Sequence, residues 1–378
     1  MITDTTNKKD PLRIAAFGFR SIPPQAGCGG ADKFSLELYS RLVEKGHHVH
    51  GYNRIYKSTK KVCSEYKGIK LYNIKTTPRS GFDTLIHSFK STVHIITHNT
   101  GDIIHIHNGG NSIWSIPLRL FGKKVFISQD GIDWKRDKWP WYGKLFLFIS
   151  SVITAYFPNR VIFDNIFIKK KYEDKFKKKY DFIPYGSEIK EYDKNTDILK
   201  RLGLEPDGYF LFVGVFQPPK GLHYLIPAFE QIKTDKKLVI VGGALTPSPY
   251  EKKIKSSIDP RIMFPGYIYG DDTINLMRNA YAYIQPSDIE GLSPVILSVM
   301  GLETPLICSN IEENMYIVKD TALTFQKSNI ASLASKINYA LDNYSEIVKL
   351  AKKAKQRVTE RFNWDQVADE HIRIFSQA

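Results

Sequence analysis

RIAAFGF at Arg13–Phe19, ADKFSLELYSRLVEK at Ala31–Lys45 and HVHGY at His48–Tyr52 follow one another in that order. The first is a short apolar run ended by a Gly- and Pro-containing loop, Ser21–Gly30, and reads as a buried strand. The second carries Phe34, Leu36, Leu38 and Leu42 at helical spacing and stops at Gly46. The third is again strand-like. Strand, helix, strand is a βαβ opening, the unit of a parallel sheet covered by helices.

The alternation runs on in both directions of the argument. Strands are expected at Ile69–Ile74, Ile103–His107, Lys124–Ser128 and Arg160–Phe163, and helices at Phe82–Thr97, Ile113–Phe121, Tyr142–Phe157 and Ile166–Lys178. Phe182–Pro184 closes a first domain. The polar stretch Tyr185–Asp197 has no periodicity and reads as a crossover. A second alternation begins with strand Tyr209–Val215, helix Gly221–Gln231 and strand Lys237–Val241. It continues through Met263–Phe264, helix Thr273–Asn279, strand Ala282–Gln285, helix Ser293–Leu302, strand Pro305–Cys308 and helix Ile330–Asn343. The C-terminal stretch is helical with a break near Phe362–Asn363. The expected class is α/β with two consecutive domains, residues 1–185 and 186–355, and a terminal helix at 356–378 returning to the first. Open parallel sheets bind ligands beyond the carboxyl ends of their strands.

Composition agrees and narrows the choice. A chain of 378 residues with 42% hydrophobic content exceeds one comfortable core. Three scattered cysteines, Cys28, Cys63 and Cys308, argue against disulfides and zinc and for a reducing compartment. Met1–Pro11 lacks an apolar signal core, and the apolar run Leu145–Phe157 falls short of the roughly 20 residues a spanning helix needs. A cytoplasmic protein is expected. The net charge of +15 suits nucleic acid, an anionic membrane or phosphorylated substrates.

Three motifs carry chemistry. Gly29-Gly30 stands where a strand gives way to a helix, whose free N–H groups suit an anion; a tight packing turn explains it equally well. Lys220-Gly221 follows Gly214 and the second domain's first strand. A lysine there suits a diphosphate, although most single lysines are merely solvated. Glu290-Gly291-Leu292-Ser293 again stands between strand and helix, as a ligand-facing loop or as an acidic cap.

Together these motifs resemble the GT-B glycosyltransferases, specifically glycosyltransferase family 4, along nearly the whole chain. Lys220-Gly221 is similar to that family's diphosphate-binding lysine motif. Glu290-Gly291-Leu292 is similar to the start of its Glu-x7-Glu motif, and Gly242-Gly243-Ala244 to its second-domain glycine turn. Arg361-Phe362-Asn363-Trp364 resembles its C-terminal F-x-W helix. Asp130-Gly-Ile-Asp-Trp134-Lys-Arg136-Asp-Lys-Trp139 resembles a stretch of bacterial rhamnosyltransferase-like, DUF1972-type members. Phe182-Ile-Pro-Tyr-Gly186 and the Ile22-Pro23…Gly29-Gly30-Ala31-Asp32 loop do so as well. The sequence departs from family 4 at Val215, where an arginine is usual, and at Ser298, where the second glutamate falls.

The resemblance implies a GT-B fold, two Rossmann-like domains facing across a cleft. It implies a retaining, metal-independent transfer of a hexose or deoxyhexose from a nucleoside-diphosphate sugar to a glycan or lipid-linked glycan hydroxyl, in polysaccharide biosynthesis. No cofactor beyond the nucleotide-sugar substrate is implied. The expected catalytic residues are Asp130, Glu290 and Lys220. The donor set is Gly29, Gly30, Gly214, Lys220, Gly243, Gly266, Tyr267, Glu290, Gly291, Leu292, Ser293 and Ser298. The acceptor set is Asn108, Gly109, Asp130, Trp134 and Arg136. His105 and His107 alternate onto one face of their strand, and His105 reads as a buried structural residue.

Trp134, Lys135, Arg136, Lys138, Trp139, Trp141, Tyr142 and Lys144 interleave aromatics with cations ahead of an apolar run. Lys169–Lys171 and Lys175–Lys179 add a second basic cluster. That pattern suits peripheral contact with an anionic membrane surface on its inner face, and also a solvated surface. Three rivals remain: a non-catalytic GT-B subunit that binds or activates a partner, motivated by Val215 and Ser298; a nucleotide-sugar epimerase; and a nucleic-acid binder, for which no motif speaks.

Overall fold

The computed structural model describes residues 10–25, 30–56, 59, 62–77, 82–129, 131, 140–187, 196–244 and 248–377. The chain divides into two units, Met1–Tyr185 with Trp364–Ala378, and Gly186–Asn363.

The first unit is built on β1 (Arg13–Phe17), whose Ile14, Ala15, Ala16 and Phe17 are all fully buried. A strand covered on both faces has no place for a polar residue, which explains the unbroken run. The strands β2 (His48–Ile55), β3 (Glu65–Tyr66), β4 (Ile69–Lys75), β5 (Ile103–His107), β6 (Lys124–Gln129), β7 (Arg160–Phe163) and β8 (Asp181–Phe182) complete the sheet. Its order is β3-β4-β2-β1-β5-β6-β7-β8. Pairing is parallel except for β3 on β4, a small hairpin that the sequence reading missed. The order reverses between β1 and β5, so the connections leaving their paired carboxyl ends turn to opposite faces of the sheet and leave a crevice.

The helices of this unit are α1 (Gly30–Glu44), α2 (Phe82–His98), α3 (Ser115–Leu120), α4 (Trp141–Tyr156) and α5 (Ile166–Phe176). The single helix expected at Ile113–Phe121 is instead a 3-10 segment, Gly109–Trp114, followed by α3.

The second unit carries β9 (Tyr209–Val215), β10 (Lys237–Gly243), β11 (Ile262–Gly266), β12 (Ala282–Gln285), β13 (Leu306–Ser309) and β14 (Leu323–Phe325) in the order β11-β10-β9-β12-β13-β14, all parallel. Here the order reverses between β9 and β12. Its helices are α6 (Asp197–Leu202), α7 (Leu222–Glu230), α8 (Pro249–Ile254), α9 (Asp271–Arg278), α10 (Pro294–Gly301), α11 (Glu312–Val318), α12 (Ile330–Asp342) and α13 (Tyr344–Arg361).

The last helix, α14 (Trp364–Ser376), belongs to the first unit; residues 356–361, read from sequence as part of it, end α13 instead. Its Trp364, Val367, Ala368, Ile374 and Phe375 join one core with Phe34 and Leu38 of α1. Arg41–Asp365 (3.2 Å) and Lys45–Asp369 (2.8 Å) ion pairs run along the rim of that contact. No helix among the described residues is long and apolar enough to cross a membrane.

Candidate active site

In the second unit the chain leaves β9 through a 3-10 turn, Pro218–Lys220, into Gly221. Gly221 has φ +74°, and a Cβ there would sit 2.0 Å from the carbonyl oxygen of Pro286. Only glycine allows that approach. The turn after β9 therefore lies against the exit of β12, which carries Pro286 to Glu290.

The consequence is an ion pair across seventy residues. Lys220 Nζ lies 2.8 and 2.7 Å from the two oxygens of Glu290. Glu290 Oε1 also accepts from Ser287 Oγ (2.6 Å) and from Gln285 Nε2. Tyr283 Oη donates to Gln285 Oε1 at 2.8 Å and fixes that amide from within the core. The Glu290 side chain is 6% exposed and that of Lys220 26%, so the lysine is the partner open to solvent. A carboxylate held by three donors is fully compensated, whereas an ammonium has a further N–H to offer.

The glycines of the donor set follow the sheet edge. Gly214 and Gly242 face each other across β9 and β10, and a Cβ on Gly242 (φ +127°) would lie 1.9 Å from Gly214 O. Gly243 O accepts from Tyr267 Oη at 2.7 Å. Gly266, at φ +81°, turns β11 into that tyrosine. Tyr267 and Tyr269, both exposed, lie with parallel rings 5.9 Å apart. On the other side of β9, Gly291 is exposed, Leu292 is buried, and Ser293 caps α10 by accepting from Ile296 N. Ser298 lies on α10 with its hydroxyl donating to Pro294 O at 2.9 Å. That hydrogen is committed to its own helix, so a ligand meets only the oxygen's acceptor capacity.

In the first unit the loop after β1 is clamped by two side chains to which the sequence reading gave no site role. Asp32, buried on α1, accepts from Arg20 N (2.6 Å) and Ser21 N (3.0 Å). Asn53 on β2 accepts from Ile22 N and donates to Ile22 O, both at 2.9 Å. Gly18, at φ +109°, is the glycine this loop requires, since a Cβ there would meet His107 O at 2.2 Å. Gly30 opens α1 with free space where a side chain would be. Asn108 accepts from Gly110 N at 2.9 Å, and Gly109 lies against Gln129, leaving no room for a Cβ. Gly29, Asp130, Trp134 and Arg136 lie outside the described residues, as do Lys135, Lys138 and Trp139.

Behind this edge His105 and His107 are both buried and face Tyr39 of α1, whose Oη lies 2.8 Å from His105 Nδ1 and 2.6 Å from His107 Nε2. One phenol hydrogen serves one of them, so the other ring donates to the phenol oxygen. His105 Nε2 reaches Ser128 Oγ at 2.8 Å. Burial pushes His107 down to about 3 and His105 well below its ordinary value, so both are neutral. His371, fully buried on α14, joins this cluster. It had no sequence signal, because only packing brings the last helix to this sheet edge.

Residues 177–357 match the family described as Glycosyl transferases group 1, and residues 14–188 match Domain of unknown function (DUF1972). An uncharacterised glycosyltransferase of Methanocaldococcus jannaschii is 25% identical over 89% of this chain and 91% of its own. O-antigen chain mannosyltransferase B of Escherichia coli is 23% identical over 47% of this chain; the match spans about half of that relative, 48%. Among solved structures, Anabaena HepE in complex with UDP superposes with a TM-score of 0.78 over 97% of this chain and 100% of that one. At 16% identity that likeness speaks for the fold.

Proposed function

Because this chain belongs to the glycosyltransferases of GT-B fold, with a group 1 glycosyl transferase domain behind a DUF1972 domain, we propose that it is a retaining, family 4 enzyme. It moves a hexose or deoxyhexose from a nucleoside-diphosphate sugar to a hydroxyl of a glycan or lipid-linked glycan. The observation that carries this reading is the Lys220–Glu290 pair at the reversal of strand order in the second unit. The diphosphate leaving group gains charge in the transition state, and a positioned ammonium stabilises it there. Lys220 supplies that charge, helped by the amides of Gly291 and Leu292. Glu290, relieved of the lysine, accepts hydroxyls of the donor sugar. Gly214, Gly243, Gly266 and Tyr267 accommodate the nucleotide along the edge of β9, β10 and β11. Asp130 is the acceptor-side group that the resemblance implies.

The test is a panel of nucleotide sugars read by thermal shift, then turnover with the donor that stabilises. A true donor in large excess raises the stability by a few kcal/mol. The reading also requires turnover to survive EDTA, since no metal takes part. Neither transfer nor donor hydrolysis with any nucleotide sugar would leave a non-catalytic subunit as the better account.

A second observation favours work at an anionic membrane. α4 exposes Trp141, Tyr142, Leu145, Phe148, Ile149 and Tyr156. Lysines of the following helix and its exit flank that face, Lys175 Nζ lying 4.4 Å from the Phe148 ring centre and Lys178 Nζ 4.8 Å from that of Tyr156. Aromatics beside cations fit the headgroup layer, each cation contributing about 1 kcal/mol near an anionic surface. Cosedimentation with anionic liposomes that weakens at physiological salt, and disappears in Trp141→Glu, is the expected result. Equal binding to neutral liposomes, or none, removes the membrane from the proposal.

A further inference from the structure

Five of the ten histidines stand at the amino-terminal edge of the first sheet, away from the strand ends that carry the Gly18 loop. His47, His48 and His50 surround the start of β2, and His94 and His98 end α2. α2 runs from the carboxyl end of β4 back to the amino end of β5, which brings its last turn to this edge.

His94 and His98 are four residues apart and share one face of the helix. Their rings are stacked, with centres 4.1 Å apart and planes inclined by 10°. His94 is half-buried and His98 exposed. His98 Nδ1 lies 3.2 Å from His94 O and 2.8 Å from Thr97 Oγ1. The carbonyl only accepts, and the Thr97 hydroxyl donates to Val93 O at 2.9 Å. The His98 ring hydrogen therefore sits on Nδ1, and Nε2 keeps its lone pair. His94 Nδ1 lies 3.0 Å from Tyr52 Oη, which lies 2.8 Å from Thr100 Oγ1. Tyr52 is fully buried, so the core fixes this chain. With Tyr52 donating to Thr100, His94 donates from Nδ1 and presents Nε2 as well. Neither Nε2 has a hydrogen-bond partner among the described residues.

Two imidazoles at i and i+4, each giving Nδ1–H to a protein oxygen and presenting Nε2, are the arrangement in which histidines hold a metal ion. Burial and the neighbouring His98 ring hold His94 below its ordinary value, so protons compete little for its lone pair at neutral pH. The exposed His98 is free to tilt until both Nε2 atoms lie about 2.0–2.1 Å from one ion. The last turn is also the negative end of the 17-residue helix dipole, where a cation is favoured. Arg13 and Lys123 reach Asn99 at this cap and oppose the ion, but both pair with Asp102. Nitrogen ligands select late transition metals, whereas magnesium and calcium require oxygen. Among the described residues no third His, Cys, Asp or Glu completes a set, so water fills the sphere. The affinity is then micromolar rather than that of a four-ligand structural site.

We infer that His94 and His98 form a two-histidine site for a divalent late transition metal ion such as Zn²⁺, at the edge of the first sheet opposite the Gly18 loop. The ion takes no part in transfer, so the inference stands apart from the transferase reading and agrees with turnover in EDTA. The full chain, carrying no histidine tag, is titrated calorimetrically with Zn²⁺ alone. One ion binds per chain in the micromolar range, and Mg²⁺ and Ca²⁺ give no heat. The melting temperature rises with Zn²⁺ and returns with EDTA. His98→Ala removes an exposed ring, so the metal-free melting temperature stays level, while Zn²⁺ binding weakens about tenfold or more. His94→Gln weakens it in the same way, and His48→Ala, on the neighbouring strand, leaves it unchanged. Zn²⁺ affinity unchanged in His98→Ala overturns the inference, as does a loss of equal size in His48→Ala. A wild-type chain that binds no Zn²⁺ at millimolar concentration overturns it too and leaves the stacked rings as a helix cap.

Discussion

The two units share one plan and load it with opposite chemistry. In each, a parallel sheet reverses its strand order beside its first strand, and the turn leaving that strand holds a glycine at positive φ, Gly18 or Gly221. At the reversal point of the second unit stands a compensated ion pair, Lys220–Glu290. At that of the first stand neutral rings: His105, His107 and His371. Topology thus provides an edge where ligands are met, and the side chains at that edge set the charge of what is met. A lysine offers charge to an anion, which neutral, buried rings do not.

The largest test of that contrast is Lys220→Ala. It is expected to lower kcat/KM for transfer by 10²-fold or more, about 2.7 kcal/mol or above, while the fold persists. Glu290→Gln weakens transfer in the same direction. Wild-type kinetics in both variants would mean that the second unit's charge pair is structural.

The two glycines come next. Gly18→Ala and Gly221→Ala each force a Cβ against a backbone carbonyl, at 2.2 and 2.0 Å, in a left-handed backbone conformation. Each is expected to destabilise by at least about 2 kcal/mol. All five tryptophans belong to the first unit, so tryptophan fluorescence reports that unit, and far-UV circular dichroism reports both. Gly18→Ala should shift the fluorescence transition, and Gly221→Ala mainly the dichroism. Identical shifts in both probes would show that the units unfold as one.

Acid should separate the units as well. A histidine whose folded pKa lies below its unfolded value gains its proton on unfolding, so stability rises with pH across the window between them. For His107 and His371 that window runs from about 6.5 down to about 3 and 4. Their stabilising contribution is complete above pH 6.5 and is lost on acidification, by about 2 kcal/mol per ring at pH 5. The fluorescence midpoint is therefore expected to fall between pH 7 and pH 5, and to fall less in His371→Phe. A flat midpoint would mean that these rings are not held neutral.

Ser298→Ala marks the small end. With its hydrogen given to Pro294 O, Ser298 has little to lose, and kcat/KM should change by less than about twofold. A tenfold loss would put the nucleotide on this residue.

Much of the fold was legible because buried parallel strands and amphipathic helices write their period locally. RIAAFGF and YFLFVGV became β1 and β9, each at the centre of its sheet. Short elements escaped. The hairpin strand β3 has two residues and β14 three, too few for any period to show, and α8 and α11 were lost among charged residues for the same reason. Of the site, Lys220 and Glu290 stood out by position and resemblance. Asp32 did not, because a carboxylate in a helix's first turn looks like ordinary capping until the loop it grips is visible.

By itself the sequence determined the class, the number of sheets, most strands and the residues able to carry charge to a phosphate. Those properties depend on neighbours within a few positions, which periodicity and motif record. Only the tertiary structure decided that Lys220 meets Glu290, that Tyr39 bridges His105 and His107, and that His371 of α14 joins those two rings at the end of β5. Such contacts depend on strand order and on where a helix returns to the sheet. They join residues tens to hundreds of positions apart, across which no local pattern in the chain carries information.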